Sequence, residues 1–326
     1  MKHIRRHTSI ILLAALISIS CTGNRSSEPG ARYEPDPNVL ISKIEISLDG
    51  GQTRLPLGEY TYNEDSQIEE AKVWRYDKKP DGSIDDTEYK YIFEREGNDV
   101  NVTKIKKVED IDYAYFYKLD MGTDDKVDKK VIYDWVDVAE VVRYEWNDDD
   151  QLLKRENIAP NVNDDVTYIF HSPDGNIEYH TNDYTTIIFP YINRRNEFEN
   201  DFYYSYNTDR RNVYSLYPHE LSAVGLLSEE YPELEAYLLA APYNEVEKYV
   251  MDQKSRVINR GEDLVYNTKK ETTNNYIYEY GDNEWPSKIV ISSLQHHQAF
   301  DHQNPDNNED SINVAYNMLY FSYIEK

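Results

Sequence analysis

The sequence predicts an all-β protein, a meander of antiparallel hairpins interrupted once by a short two-helix insert near residues 219–240. Three observations carry this. Aromatic residues recur with period two, because successive side chains of a half-buried strand point to opposite faces. An aromatic pair, a polar turn and an apolar residue recur together, as hairpins require. The alternation fails in one stretch only, where apolar residues take three- and four-residue spacings instead.

In chain order, the first element is not part of the fold. A basic start with Lys2, Arg5 and Arg6 is followed by an apolar run from Ile10 to Ile17 and by Ser18, Ile19 and Ser20. That is the layout of a secretory signal peptide, and the run is shorter than the ~20 residues a membrane-spanning helix needs. Cys21, the one cysteine of 326 residues, stands directly behind it. An ordinary signal has no use for a cysteine there, whereas a lipoprotein signal acylates it as the first residue of the mature chain. Ser18 departs from the leucine commonest at that position, and a cleaved, soluble secreted protein is the alternative. The reading is therefore a signal peptide over 1–20 and a lipidated tether over 21–38. The tether is polar and broken by Pro29, Gly30, Pro35 and Pro37. As a flexible coil it would hold the body on the order of 20 to 25 Å from the lipid. Residues 39–326 are expected to form one β-rich domain, because no second linker interrupts them.

Removing residues 1–20 leaves 32 basic against 61 acidic side chains, a net charge near −29. So acidic a chain is a poor partner for nucleic acid, which is held by clustered Lys and Arg. Adhesion to an anionic membrane face is disfavoured for the same reason, which leaves the acyl chains as the attachment. With its thiol lipidated the chain forms no disulfide, so core burial and sheet hydrogen bonds must stabilise it.

The body opens with Ile44, Ile46 and Leu48 alternating with polar residues. Tyr60-Thr61-Tyr62 leads through "NEDSQ" to Ile68, the first hairpin module. Tyr89, Tyr91 and Phe93 share one face of "EYKYIFERE" while Glu88, Lys90 and Glu94 share the other, and Tyr113, Tyr115 and Tyr117 repeat this in "DYAYFYK". With 31 tyrosines in the chain, the buried face should be built largely from rings that pack while their hydroxyls reach a partner. Tyr144-Glu145-Trp146 leads through "NDDDQ" to Leu152, and Tyr168-Ile169-Phe170 through "HSPDGN" to Ile177. The latter has Ile169 on the opposite face, which predicts a strand covered on both sides. Pro218 and Pro232 stand where helices begin, with Leu221, Val224, Leu234, Tyr237 and Leu238 at helical spacings, so helices are expected over 219–227 and 232–240. Tyr278-Glu279-Tyr280 then leads through "GDNE" to Trp285, and Tyr316, Leu319, Phe321 and Tyr323 mark a closing strand.

The module "YEYGDNEWPSKIVI" (278–291), its looser copies upstream and the Leu-rich insert before it resemble uncharacterised lipoprotein families of Bacteroidetes, described as having a porin-like, partly closed barrel of hairpins. The looser copies are also similar to tyrosine-aspartate repeat proteins. The resemblance covers roughly residues 40–326 and implies a lipid-anchored sheet curled into a partly closed barrel. It brings no catalytic residue, cofactor or partner. A membrane-spanning barrel is not expected, because Glu, Lys, Asp and Arg repeatedly occupy the face opposite the tyrosines, and charges on a lipid face cost ~2 to 4 kcal/mol at the midplane.

Chemistry-bearing motifs are few. His296, His297 and His302 in "QHHQAFDHQ" lack a Cys partner or helical spacing, which favours a solvated loop over a metal site. The acidic turns "WNDDDQ", "NVNDDV" and "GTDDKVD" match no calcium loop and suit hairpin turns. No nucleophile motif and no phosphate-cradling loop occur, so a non-catalytic protein is expected, with no cofactor and no metal. Two functions remain: a binding module for a carbohydrate or other ligand on an aromatic-lined sheet, or a structural or protein-interaction component of the outer membrane. Trp74, Trp135, Trp146 and Trp285 are the candidate stacking platforms, with core filling as the competing role. No Asp follows Cys21, which by analogy with lipoprotein sorting favours the outer membrane, facing the periplasm or the cell surface.

Overall fold

The computed structural model describes residues 38–78, 83–108, 111–122, 126–134, 137–148, 151–158, 162–173, 176–188, 194–216, 219–224, 244–258 and 264–326. All fall within the unit Tyr33–Lys326. Cys21, the tether and Trp135 lie outside the described residues.

Sixteen strands run in chain order: β1 Val39–Ser47, β2 Leu55–Tyr62, β3 Ile68–Lys78, β4 Ile84–Glu96, β5 Asp99–Val108, β6 Ile111–Met121, β7 Val127–Asp134 and β8 Asp137–Trp146, then β9 Leu152–Ile158, β10 Val162–His171, β11 Ile177–Ile188, β12 Arg194–Arg211, β13 Asn244–Ile258, β14 Leu264–Tyr280, β15 Pro286–Asp301 and β16 Glu309–Glu325. Each pairs antiparallel with its neighbours in sequence, and β1 pairs with β16, so the meander closes into a barrel. Closure is complete where the resemblance implied a partial one. It follows from Ile44 facing Phe321 and Ile46 facing Leu319, which removes both edges of the sheet at that level.

One end of the barrel, the base, gathers the short hairpin turns and both chain ends, with the Lys326 N–H donating to the Asn38 carbonyl at 2.8 Å. The repeated module builds this end. Asn63, Asn147, Ser172 and Gly281 each donate a backbone N–H to the carbonyl four residues on. In two of these turns the Asn side chain holds the loop as well: Asn63 Oδ1 accepts from the N–H of Asp65 and Gln67, and Asn147 Oδ1 from Gln151. The apolar residue after the turn is buried: Ile68, Leu152, Ile177 and Trp285 are each at most 1% exposed.

The aromatic pair has a mechanical reason. One member donates to a backbone carbonyl near the start of the preceding strand: the second in the other modules, and the first, Tyr278, in the last, where Tyr280 donates to Glu245 Oε2 at 2.6 Å instead. Tyr62 bonds Ile41 O at 2.8 Å, Trp146 Nε1 bonds Val127 O at 3.2 Å, Tyr206 bonds Ile177 O at 2.7 Å, Tyr278 bonds Val246 O at 2.7 Å and Tyr323 bonds Pro286 O at 2.6 Å. On β10 the position belongs to His171, whose Nε2 lies 2.8 Å from Leu152 O. The inward pair of that hairpin is therefore Ile169 and His171, and the expectation based on Tyr168 and Phe170 was off by one residue. Those two rings point outward and stay half-exposed, so the strand is not covered on both sides, because a one-residue shift exchanges the faces. On β16, likewise, Tyr316 faces out while Leu319, Phe321 and Tyr323 face in. Removing one hydroxyl, Tyr206→Phe, should leave the Ile177 carbonyl short of a donor and lower the unfolding free energy by about 1 kcal/mol in urea titration.

The insert between β12 and β13 differs from expectation. A 3-10 turn, Val213–Leu216, precedes a helix α1 of five residues, His219–Ala223, where nine were expected, and the expected helix over 232–240 lies outside the described residues. Val213, Leu221, Ala223 and Val224 are buried in the same apolar cluster as the inward residues of the strands. Helical spacing here reflects a segment folded into the barrel rather than one capping the sheet.

Candidate functional site

The insert crosses the bore. It leaves the wall at β12 and reaches strands on the far side of the ring, where Arg95 of β4 pairs with Glu220 and Lys130 Nζ of β7 donates to the Ala223 carbonyl at 2.9 Å. Glu220 and Lys130 are 5% and 6% exposed, so the Lys130 contact is buried and the Arg95 contact partly so. Buried charges persist only when paired or hydrogen-bonded, and here the pairing ties the insert across the base. The described residues of the insert thereby occupy the bore at this end.

Above the base, β11 to β13 carry a buried aromatic layer. His180 of β11 stacks on Phe202 of β12 with centroids 4.1 Å apart, and Tyr249 of β13 lies 6.1 Å from Phe202 and 5.3 Å from Tyr204. Tyr204 Oη is 3.1 Å from His180 Nδ1. Burial pushes the His180 pKa down to about 3, so the ring is neutral at ordinary pH, and among the described residues its Nε2 has no hydrogen-bond partner. At the same level on β14, the Thr272 hydroxyl is 3% exposed and also unpartnered.

One step further from the base the inward positions turn polar. The ladder aligns Thr167, Asn182, Asn200, Gln253, Lys270, His297 and Ser311 in a single row across β10 to β16. Alternation from buried Phe202 and Met251 places Asn200 and Gln253 on the inner face, where Gln253 Nε2 donates to Asn200 Oδ1 at 3.2 Å. The next inward pair, Ser255 and Thr268, shares a 2.7 Å hydrogen bond. Across the ring, Lys104 Nζ sits 4.4 Å from the Tyr89 centroid and 5.7 Å from Tyr91 and Tyr115, and on β9, beside Thr167, Arg155 pairs with Asp165 at 3.5 Å. By the same register the inner face carries Lys104, Lys106, Lys130, Arg155 and Lys270 together with acids such as Asp85 and Asp165. Amides, hydroxyls and ammonium groups above aromatic rings suit a ligand rich in hydroxyls, with each polar group offering directional bonds.

The sequence-derived candidates fall elsewhere. Trp285, 1% exposed, and Trp146, its indole N–H bonded to Val127 O, belong to the packing at the base. Trp74 is half-buried on the outer face of β3 opposite Glu88. These three share no surface. The histidines also diverge: His296 Nε2 lies 2.7 Å from Asp310 Oδ1 on the outer face, His297 faces inward, and His302 Nε2 lies 2.6 Å from Asn267 Oδ1. Among the described residues no three potential ligands converge on a metal position. The polar row was missed because strands such as "TKKETTNN" (268–275) are polar on both faces, so their alternation does not say which face is inside.

No protein-family model matches the chain, and no curated protein matches it. Among solved structures, the chain is similar to a porin-like protein from Bacteroides uniformis ATCC 8492, with a TM-score of 0.48 and 11% identity over 90% of this chain and 99% of that one.

Proposed function

We propose that this chain is a non-catalytic binding protein whose barrel interior takes a carbohydrate or similarly hydroxyl-rich ligand, held at the outer membrane by a lipid on Cys21. The observation that carries the reading is the row from Thr167 to Ser311 standing over the buried layer of His180, Phe202 and Tyr249, above a base crossed by the insert. Ion pairs on the outer face argue against a spanning barrel: Glu70 with Lys90 at 2.7 Å, Asp99 with Lys118 at 2.6 Å, Glu199 with Lys254 at 2.7 Å and Glu279 with Lys288 at 2.7 Å are spread around the ring. Lipid would have to accommodate all of them. A component of the envelope that docks another protein is the second reading, favoured by an apolar stripe on the outer face of β14 to β16.

The test is a glycan array probed with the full chain carrying Cys21→Ser, followed by titration of any hit. Asn200→Ala with Gln253→Ala should weaken binding at least tenfold, since each lost directional bond contributes about 1 kcal/mol. Absence of any glycan binding at millimolar ligand would remove the carbohydrate reading.

A further inference from the structure

The barrel wall is uneven. β1 pairs with β16 only along Met318–Glu325, because β1 ends at Ser47 while β16 begins at Glu309. Residues 309–317 therefore pair with β15 on one side and, among the described residues, with no strand on the other. An open strand edge is a template for another strand, and proteins usually blunt one with lysine, proline or a bulge. The segment "EDSINVAYN" carries none of these, and its two acids stand together at one end.

The outer face beside this edge is apolar. Ile312 is 67% exposed, Val314 59% and Tyr316 51%, and Leu294 of β15, directly opposite Val314, is 49% exposed. Isolated exposed apolar residues are ordinary, but a contiguous group along an open edge marks an interaction surface.

We propose that two copies of this chain pair antiparallel along residues 309–317 of β16, about a twofold axis at Asn313. The segment is complementary to itself in that arrangement. Ile312 of each copy faces Val314 of the other, Ser311 faces Ala315, Asp310 faces Tyr316 and Glu309 faces Asn317. The two apolar stripes become one, and no acid meets an acid, which matters in a chain of net charge −26. Asp310 is also held by His296 at 2.7 Å, which turns its charge towards its own subunit. A twofold contact of this type closes on itself and leaves no further edge for growth into a fibre. Pairing ends where β1 takes over the edge at Met318, so the ladder has a defined length.

The experiment uses the full chain with Cys21→Ser, so that Asn313→Cys supplies the only thiol. Light scattering behind size exclusion should give twice the chain mass at submillimolar protein, and the dimer should strengthen with salt as self-repulsion is screened. Cysteines at position 313 should form an intermolecular disulfide, since antiparallel partners stand about 4.5 to 5.5 Å apart, within disulfide reach. Thr103→Cys, on the outer face of β5, should not. Ile312→Lys with Val314→Lys should return the protein to single-chain mass with its melting temperature retained, because both side chains are exposed. Single-chain mass at every concentration, a dimer indifferent to the two lysines, or equal crosslinking at 103 and 313 would each overturn the proposal.

Discussion

Trp285→Ala lowers the unfolding free energy by about 3–5 kcal/mol, the loss expected when a fully buried large aromatic leaves a cavity. Trp285 is 1% exposed, follows the turn closed by the Gly281 N–H to Trp285 O bond at 3.0 Å, and belongs to the cluster that fills the base. Close packing leaves its neighbours little room to collapse into the space. Trp74→Ala, on the outer face, should cost no more than about 1 kcal/mol. Urea titrations of the two variants separate core from surface directly. If Trp285→Ala melted like the wild type while losing a ligand, the packing role assigned here would be wrong.

Glu245→Gln flattens the pH dependence of stability between about pH 4.5 and 7. Glu245 is 1% exposed at the base, where Tyr280 donates to its Oε2 at 2.6 Å and, among the described residues, its Oε1 has no partner. Burial raises its pKa from 4.5 to about 7, against the opposing pull of the Tyr280 hydrogen bond and of Arg210. A carboxyl that binds its proton more tightly when folded opposes folding once that proton is lost. Stability is therefore undiminished below the unfolded value and falls as pH rises through the folded one, by up to about 3 kcal/mol. The amide cannot ionise, so the variant should equal the wild type near pH 4.5 and exceed it above pH 7. Parallel profiles for both proteins between pH 4.5 and 8 would refute the assignment.

Much of the barrel could be read from particular residues. Tyr60 with Tyr62 and Tyr144 with Trp146 lie on the face that alternation predicts, and Ile68, Leu152, Ile177 and Trp285 are buried where the returning strands begin. Tyr168 and Phe170 show that aromaticity does not by itself mark the inner face. The function at that position is hydrogen bonding to a carbonyl of the preceding strand, and His171 performs it as tyrosine does elsewhere. The insert was seen as helical, but nothing in its spacing said that Glu220 would find Arg95 across the bore, 125 residues away in sequence.

Local matters were legible in the sequence: strands of period two, hairpin turns rich in Asn, Asp or Gly, a single interruption, and a cysteine behind a signal-like run. Each depends on neighbours within a few residues, whose geometry the backbone dictates. Only the tertiary structure decided which face became the interior, that Asn200, Gln253 and Lys270 form one row, and that β16 outruns β1. Period two distinguishes two faces without naming either as inside. Closure of β1 on β16 and the seating of the insert make that choice, and both are contacts between residues far apart in the chain.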